Sequence, residues 1–115
     1  MSTAKRIRSQ ISRGSAELAI LALLHEQPLY GFEIAKQIEE KTQGALHFEL
    51  ASLYPMLYSI EKRGWIKGRW ASNRTGRDRR YYSLTPAGKR KLIPLRREWR
   101  GFFEALDRLA GVSHA

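Results

Sequence analysis

The chain has no cysteine among its 115 residues, which excludes a disulfide framework and any thiolate metal site. Carboxylates are scarce: 11 Asp and Glu stand against 21 Lys and Arg, a formal net charge of +10. So basic a domain attracts polyanions, a nucleic acid or an anionic membrane surface, and the placement of the charge favours nucleic acid. Histidine is sparse too. His25, His47 and His114 stand far apart and none has ligand spacing, so no metal and no cofactor is expected. Long hydrophobic runs are missing. The longest, Leu18 to Leu24, is far short of a membrane span, and no apolar stretch of signal-peptide type follows the basic N-terminus. A cytoplasmic protein that does not enter the membrane is expected. No nucleophile–base pair, metal spacing or phosphate-binding loop is present, so the chain reads as a non-enzyme. What it does have is 43% hydrophobic residues, enough for one small core and an appended helix.

Residues 49–63 organise the rest. Leu50, Leu53, Leu57 and Ile60 recur at helical spacing and form one apolar stripe. The opposite side carries Ala51, Ser52, Pro55, Tyr58, Ser59 and Lys62, with Tyr54 on the boundary. No carboxylate lies at the centre of that face. It suits a groove lined with phosphates and base edges, and taken alone it also reads as an ordinary solvated helix surface. Pro55 is the anomaly. Inside a helix a proline costs about 3 kcal/mol, which is relieved in the first turn, where its N–H has no partner anyway. Whether Pro55 occupies the first turn or kinks the second stays open.

Before this helix, residues 1–13 form a basic arm or a short helix, with Ile7 and Ile11 on one side. Gly14 breaks the pattern and Ser15 caps a new helix that is apolar nearly all round and ends before Pro28. Leu29-Tyr30-Gly31 reads as a turn, and residues 31–41 as an amphipathic helix. Its N-terminus near Tyr30 suits a phosphate. Lys36 either reaches that phosphate or pairs with Glu40 in solvent. Thr42-Gln43-Gly44 stops the helix, and residues 45–48 read as a short extended segment.

After it, Gly64 is the left-handed stop. Residues 65–70 and 79–84 alternate as strands of a β-hairpin around a turn-rich tip. The hairpin holds Lys67, Arg69, Arg74, Arg77, Arg79 and Arg80 against the lone carboxylate of Asp78, a self-repelling cluster unless an anion partners it. Thr85 and Pro86 open the last helix as N-cap and first residue. Along it Leu92, Leu95, Trp99, Phe102, Leu106 and Leu109 run at heptad spacing, widened by Phe103. Pro94 is expected to kink or split that helix. The seam suits a homodimer interface.

The predicted fold is mainly α with a small β-hairpin wing: a winged helix-turn-helix over residues 14–85, a C-terminal dimerisation helix over 86–110 and a frayed tail over 111–115. The third helix of such a fold enters the major groove and the wing tracks the backbone. The stretches Glu17–Leu24, Pro28–Lys36, Ser52-Leu-Tyr-Pro-Met-Leu57 and Arg79-Arg-Tyr-Tyr-Ser-Leu-Thr-Pro-Ala-Gly88 resemble the PadR family of transcriptional regulators. The resemblance spans about residues 14–110. It implies a homodimeric repressor of an inverted-repeat operator, dimerised through its C-terminal helix. Ser52, Tyr54, Pro55 and Tyr58 would then face double-stranded DNA, and the wing from Arg74 to Arg79 would grip phosphates. Tyr30, Lys36, Lys62 and Arg69 complete the candidate DNA-binding set. Many family members carry Pro-Gly where this chain has Leu50-Ala51. Some bind planar aromatic effectors between their C-terminal helices, and Trp99 is the candidate wall for one, though a tryptophan in a heptad seam also simply fills the seam. Structured RNA is the rival polymer.

Overall fold

The computed structural model describes residues 3–72 and 76–111, with side chains described from residue 14 onward. Seven elements follow in order: α1 (Thr3–Glu26), β1 (Leu29–Tyr30), α2 (Gly31–Lys41), α3 (Leu50–Lys62), β2 (Ile66–Ser72), β3 (Asp78–Leu84) and α4 (Pro86–Ala110). The three strands form one antiparallel sheet in the order β1-β3-β2. β2 and β3 pair from Ile66 with Leu84 to Ser72 with Asp78. Helices α1 to α3 and the hairpin make the winged helix-turn-helix, and α4 runs on from it.

One core holds these elements together. Ile20, Leu21 and Leu24 of α1 meet Ile34 and Ile38 of α2 and Leu53, Leu57 and Ile60 of α3. Ile66 and Tyr82 close it from the wing, and Leu92 and Leu95 from α4. The apolar stripe of α3 is therefore the face that binds the helix to its own domain. The molecule is elongated at 53 × 32 × 28 Å. Its two long helices, α1 with 24 residues and α4 with 25, each span about 36–37 Å at 1.5 Å per residue.

Several expectations change. Gly14 does not end a helix, because α1 runs through it without a break. A lone glycine costs a helix only about 1 kcal/mol. This one allows a close approach: a Cβ at residue 14 would lie 3.2 Å from the Trp99 ring. The basic side chains of the N-terminal arm lie outside the described residues, as do residues 112–115 of the tail. Leu29-Tyr30 is a strand, paired with Tyr82 and Tyr81. Two residues are too few to show a period of two. Residues 45–48 form no strand. Instead the Thr42 hydroxyl accepts the Leu46 N–H at 3.0 Å and donates to the Ile38 carbonyl at 2.7 Å, so the loop folds back on the end of α2. Helix α4 is not split at Pro94. Its start is as expected: Pro86 is the first residue, and the Thr85 hydroxyl accepts the Gly88 N–H at 3.0 Å.

Candidate nucleic-acid interface

Burial of Leu53, Leu57 and Ile60 sets the rotation of α3 and leaves its other side in solvent. Ala51, Ser52, Tyr54, Pro55, Tyr58 and Lys62 are all exposed. Tyr58 is the most prominent of the two tyrosines, at 68% against 48% for Tyr54. No side chain caps the start of α3. The carboxylate of Glu49, the residue in the cap position, is instead 3.0 Å from the His47 ring. Pro55 is the sixth residue of α3 and so belongs to the second turn, beyond the relief of the first. Its missing N–H leaves the Ala51 carbonyl without its helical donor. Both residues are exposed, so solvent or a docked ligand can satisfy that oxygen.

Tyr54 is held from behind. Its ring rests on Gly31, the first residue of α2, where a Cβ would come within 2.6 Å of the ring. Glycine at this position is what lets α2 and α3 close up. The α2 N-terminus itself is less open to an anion than the sequence suggests. The Glu33 carboxylate folds back to accept the Tyr30 N–H at 3.2 Å, placing a negative charge where a phosphate would sit. Tyr30 is half-buried, edge-on to Tyr81 at 5.5 Å and stacked with Phe32 at 6.5 Å. Lys36 lies 3.9 Å from Glu40 in an exposed pair, which is the solvated reading of that residue.

The register of the wing sorts its side chains onto two faces, since directly paired residues share a face. One face carries Lys67, Arg69, Arg79 and Tyr81. Lys67 and Arg69 are exposed there, while the Arg79 guanidinium lies over the Tyr30 ring at 4.4 Å from its centroid. The other face carries Ile66, Gly68, Trp70, Arg80 and Tyr82 and turns toward α3. On it the Arg80 guanidinium donates to Glu61 of α3 at 2.7 Å, and the same carboxylate oxygen accepts the Gly68 N–H at 2.9 Å. That hydrogen bond to Glu61 raises the pKa of Arg80, so it stays charged. Burial pushes the Tyr82 phenol up as well. Arg77 is exposed near the hairpin tip, and Arg74 lies outside the described residues. Between α3, the start of α2 and the wing runs an open groove of about 680 Å³, lined by Phe32, Tyr54, Trp70, Arg77 and Arg79 among others.

Sequence reasoning missed two features here. Glu61 belongs to no motif of the sequence, and no local pattern ties it to residues 68 and 80. His47 lacks ligand spacing, yet its ring bridges Glu49 at 3.0 Å and Glu39 of α2 at 3.4 Å. Those two carboxylates, Glu49 first, raise its pKa above 6.5. The His47-Phe48-Glu49 order hints at the first contact, but only the turn after α2 brings the ring to Glu39.

The seam of α4 divides. Leu92 and Leu95 are consumed by the chain's own core, at 1% and 7% exposure, and present no surface to a second copy. Trp99 is half-buried, edge-on to Phe102 and tilted against Phe103, each at 5.9 Å. Beyond it Phe102, Phe103 and Leu109 are exposed, and so is Ile93, while Leu106 is half-buried. Among the described residues, no helix is long and apolar enough to cross a membrane.

Comparison with known proteins agrees with this geometry. A transcriptional regulator from Clostridium thermocellum superposes with a TM-score of 0.80 at 30% identity, over 88% of this chain and 98% of that one. A PadR family transcription regulator from Clostridium difficile R20291 gives 0.73 at 28% identity, over 82% and 96%. An uncharacterised protein of Lysinibacillus sphaericus is 34% identical over 101 residues, 88% of this chain and 93% of its own. The model of the transcriptional regulator PadR-like family matches residues 20–93, from the core of α1 through the wing into α4. The chain belongs to the PadR-like family of transcriptional regulators.

Proposed function

We propose that the chain is a cytoplasmic homodimeric repressor that binds an inverted-repeat operator in duplex DNA. The observation that carries the reading is the juxtaposition of two surfaces. The outer side of α3 is exposed and has no carboxylate at its centre, and the groove between it and the wing is lined by Arg77, with exposed Lys67 and Arg69 on the wing's outer face. Helix α3 enters the major groove. Ser52, Tyr54 and Tyr58 meet base edges and the backbone there, and Pro55 keeps the approach flat. Lys62 and the wing arginines, Arg74 and Arg79 included, supply sequence-independent attraction. Tyr30 acts mainly by holding Arg79, and Lys36 sits at the margin. Two copies joined through Trp99, Phe102, Phe103, Leu106 and Leu109 would present their α3 helices to successive major grooves, about 34–36 Å apart. Anisotropy titration of a duplex from upstream of the chain's own gene tests this. Affinity falls steeply as salt rises; a curve flat from low to physiological salt, or equal competition by structured RNA, sinks the reading.

The exposed rings of Phe102 and Phe103 beside Trp99 support a second role, a site for a planar aromatic effector at the junction of two α4 helices. A planar dye quenches tryptophan fluorescence in the wild type and not in Trp99→Ala. Absence of quenching in the wild type removes this role.

A further inference from the structure

We infer that Glu61 is a positioning residue that sets the angle between the wing and α3, and through that angle the choice of DNA sequence. The inference rests on the DNA-binding reading above. Glu61 is the next-to-last residue of α3. Its Oε2 accepts both the backbone N–H of Gly68 on β2 and the guanidinium of Arg80 on β3. One atom therefore ties the recognition helix to both strands of the wing, beyond the point where Ile66 anchors the wing in the core. The three residues are fitted to one another. A Cβ at residue 68 would fall 2.2 Å from Arg80 Nε, so the arginine reaches Glu61 only by crossing a glycine. The ion pair is partly sheltered, at 34% and 25% side-chain exposure, and a charge-assisted bond of this kind is stronger and more directional than a neutral one. Trp70 and Tyr82 flank the guanidinium at 5.9 and 5.8 Å.

Arg80 thus differs from Lys67 and Arg69 on the opposite face. Its charge is used inside the fold. Contacts to phosphate tolerate small shifts of the wing, whereas base-edge hydrogen bonds from α3 need a fixed geometry. A pivot that holds the wing at one angle therefore contributes to sequence preference more than to raw affinity.

The test starts with duplexes selected from a random pool by the wild-type protein. Wild type, Glu61→Gln and Arg80→Gln are then titrated against the selected duplex and a scrambled one over a salt series, with thermal melting followed in parallel. Glu61→Gln keeps an oxygen for Gly68 but loses the charge that holds Arg80. Its preference for the selected duplex falls about tenfold. Its salt slope on scrambled DNA steepens by about one, because Arg80 is released to a phosphate. Arg80→Gln loses the same preference with an unchanged slope. A purely structural role would lower the melting temperature and move neither preference nor slope. Wild-type preference in either folded variant overturns the inference. So does a slope that falls by about one in Arg80→Gln, which decides the matter alone if Glu61→Gln does not fold. If the wild type enriches no duplex at all, the DNA-binding reading fails, and the inference falls with it.

Discussion

Gly31 and Tyr54 show how one missing side chain serves a neighbouring surface. Alanine at residue 31 gains up to about 1 kcal/mol of helix propensity, but its Cβ needs the space of the Tyr54 ring. That ring is half-exposed and can swing outward, so the two effects nearly cancel in stability. Gly31→Ala is expected to melt within a few degrees of the wild type while binding DNA several-fold more weakly. Equal affinity would show that the seat of Tyr54 is immaterial. At the same scale, the carboxylates of Glu49 and Glu39 raise the pKa of His47 above 6.5. The folded state thus binds this proton more tightly than the unfolded chain does. The stabilisation is complete below pH 6.5 and is lost as pH rises through the higher folded value. Proton NMR of the His47 ring should give a midpoint above 6.5 that drops in Glu49→Gln. Identical midpoints in the two proteins would contradict the assignment.

At the scale of elements, α3 combines a well-anchored apolar stripe with a proline in its second turn. Replacing Pro55 by alanine returns a donor to the Ala51 carbonyl. Interior proline costs a helix about 3 kcal/mol, and the extra freedom of the unfolded alanine chain offsets up to about 1 kcal/mol of the gain. Pro55→Ala is therefore expected to raise unfolding stability by about 1–2 kcal/mol in urea, and an unmoved midpoint would mean that α3 has already bent to relieve the proline. The wing makes a different statement. Its outer face carries the exposed cations, so Lys67→Ala and Arg69→Ala should each flatten the salt dependence of DNA binding by about one unit of slope. Titrations in which both slopes match the wild type would place that face away from DNA.

At the scale of the molecule, α4 serves two purposes along one seam. Up to Leu95 it completes the core of its own domain, and beyond Trp99 it carries Phe102, Phe103 and Leu109 into solvent. Exposed large rings in a row mark an interaction surface, and under the proposed dimer a second copy of the same helix would cover it by two-fold symmetry. Sedimentation is expected to give the wild type twice the 13.3 kDa of the chain. Phe103→Glu should sediment as a monomer with an intact melting transition and weaker DNA binding, since two half-sites then bind independently. A wild-type monomer at micromolar concentration would end the dimer reading.

Most of the helices, the wing and the Thr85 cap were legible in the sequence because they depend on periodicity and local chemistry, whereas Ser15 lies inside α1 and caps no helix start. The stripe of α3, the stop at Gly64, the Thr85 cap and the alternating strands each lie within a few residues of chain. The two-residue β1, the passage of α1 through Gly14 and the division of the α4 seam were not, since each depends on what packs alongside. Leu95 and Phe102 look alike in a heptad, and only the presence of the domain behind Leu95 separates core from free surface. The same holds for the charges. Ten excess positive charges favour a polyanionic partner, because like charges at that density repel one another. Which arginine faces outward and which is tied to Glu61 was decided by the tertiary structure, since strand register and helix docking bring together residues that sequence separation keeps 19 apart.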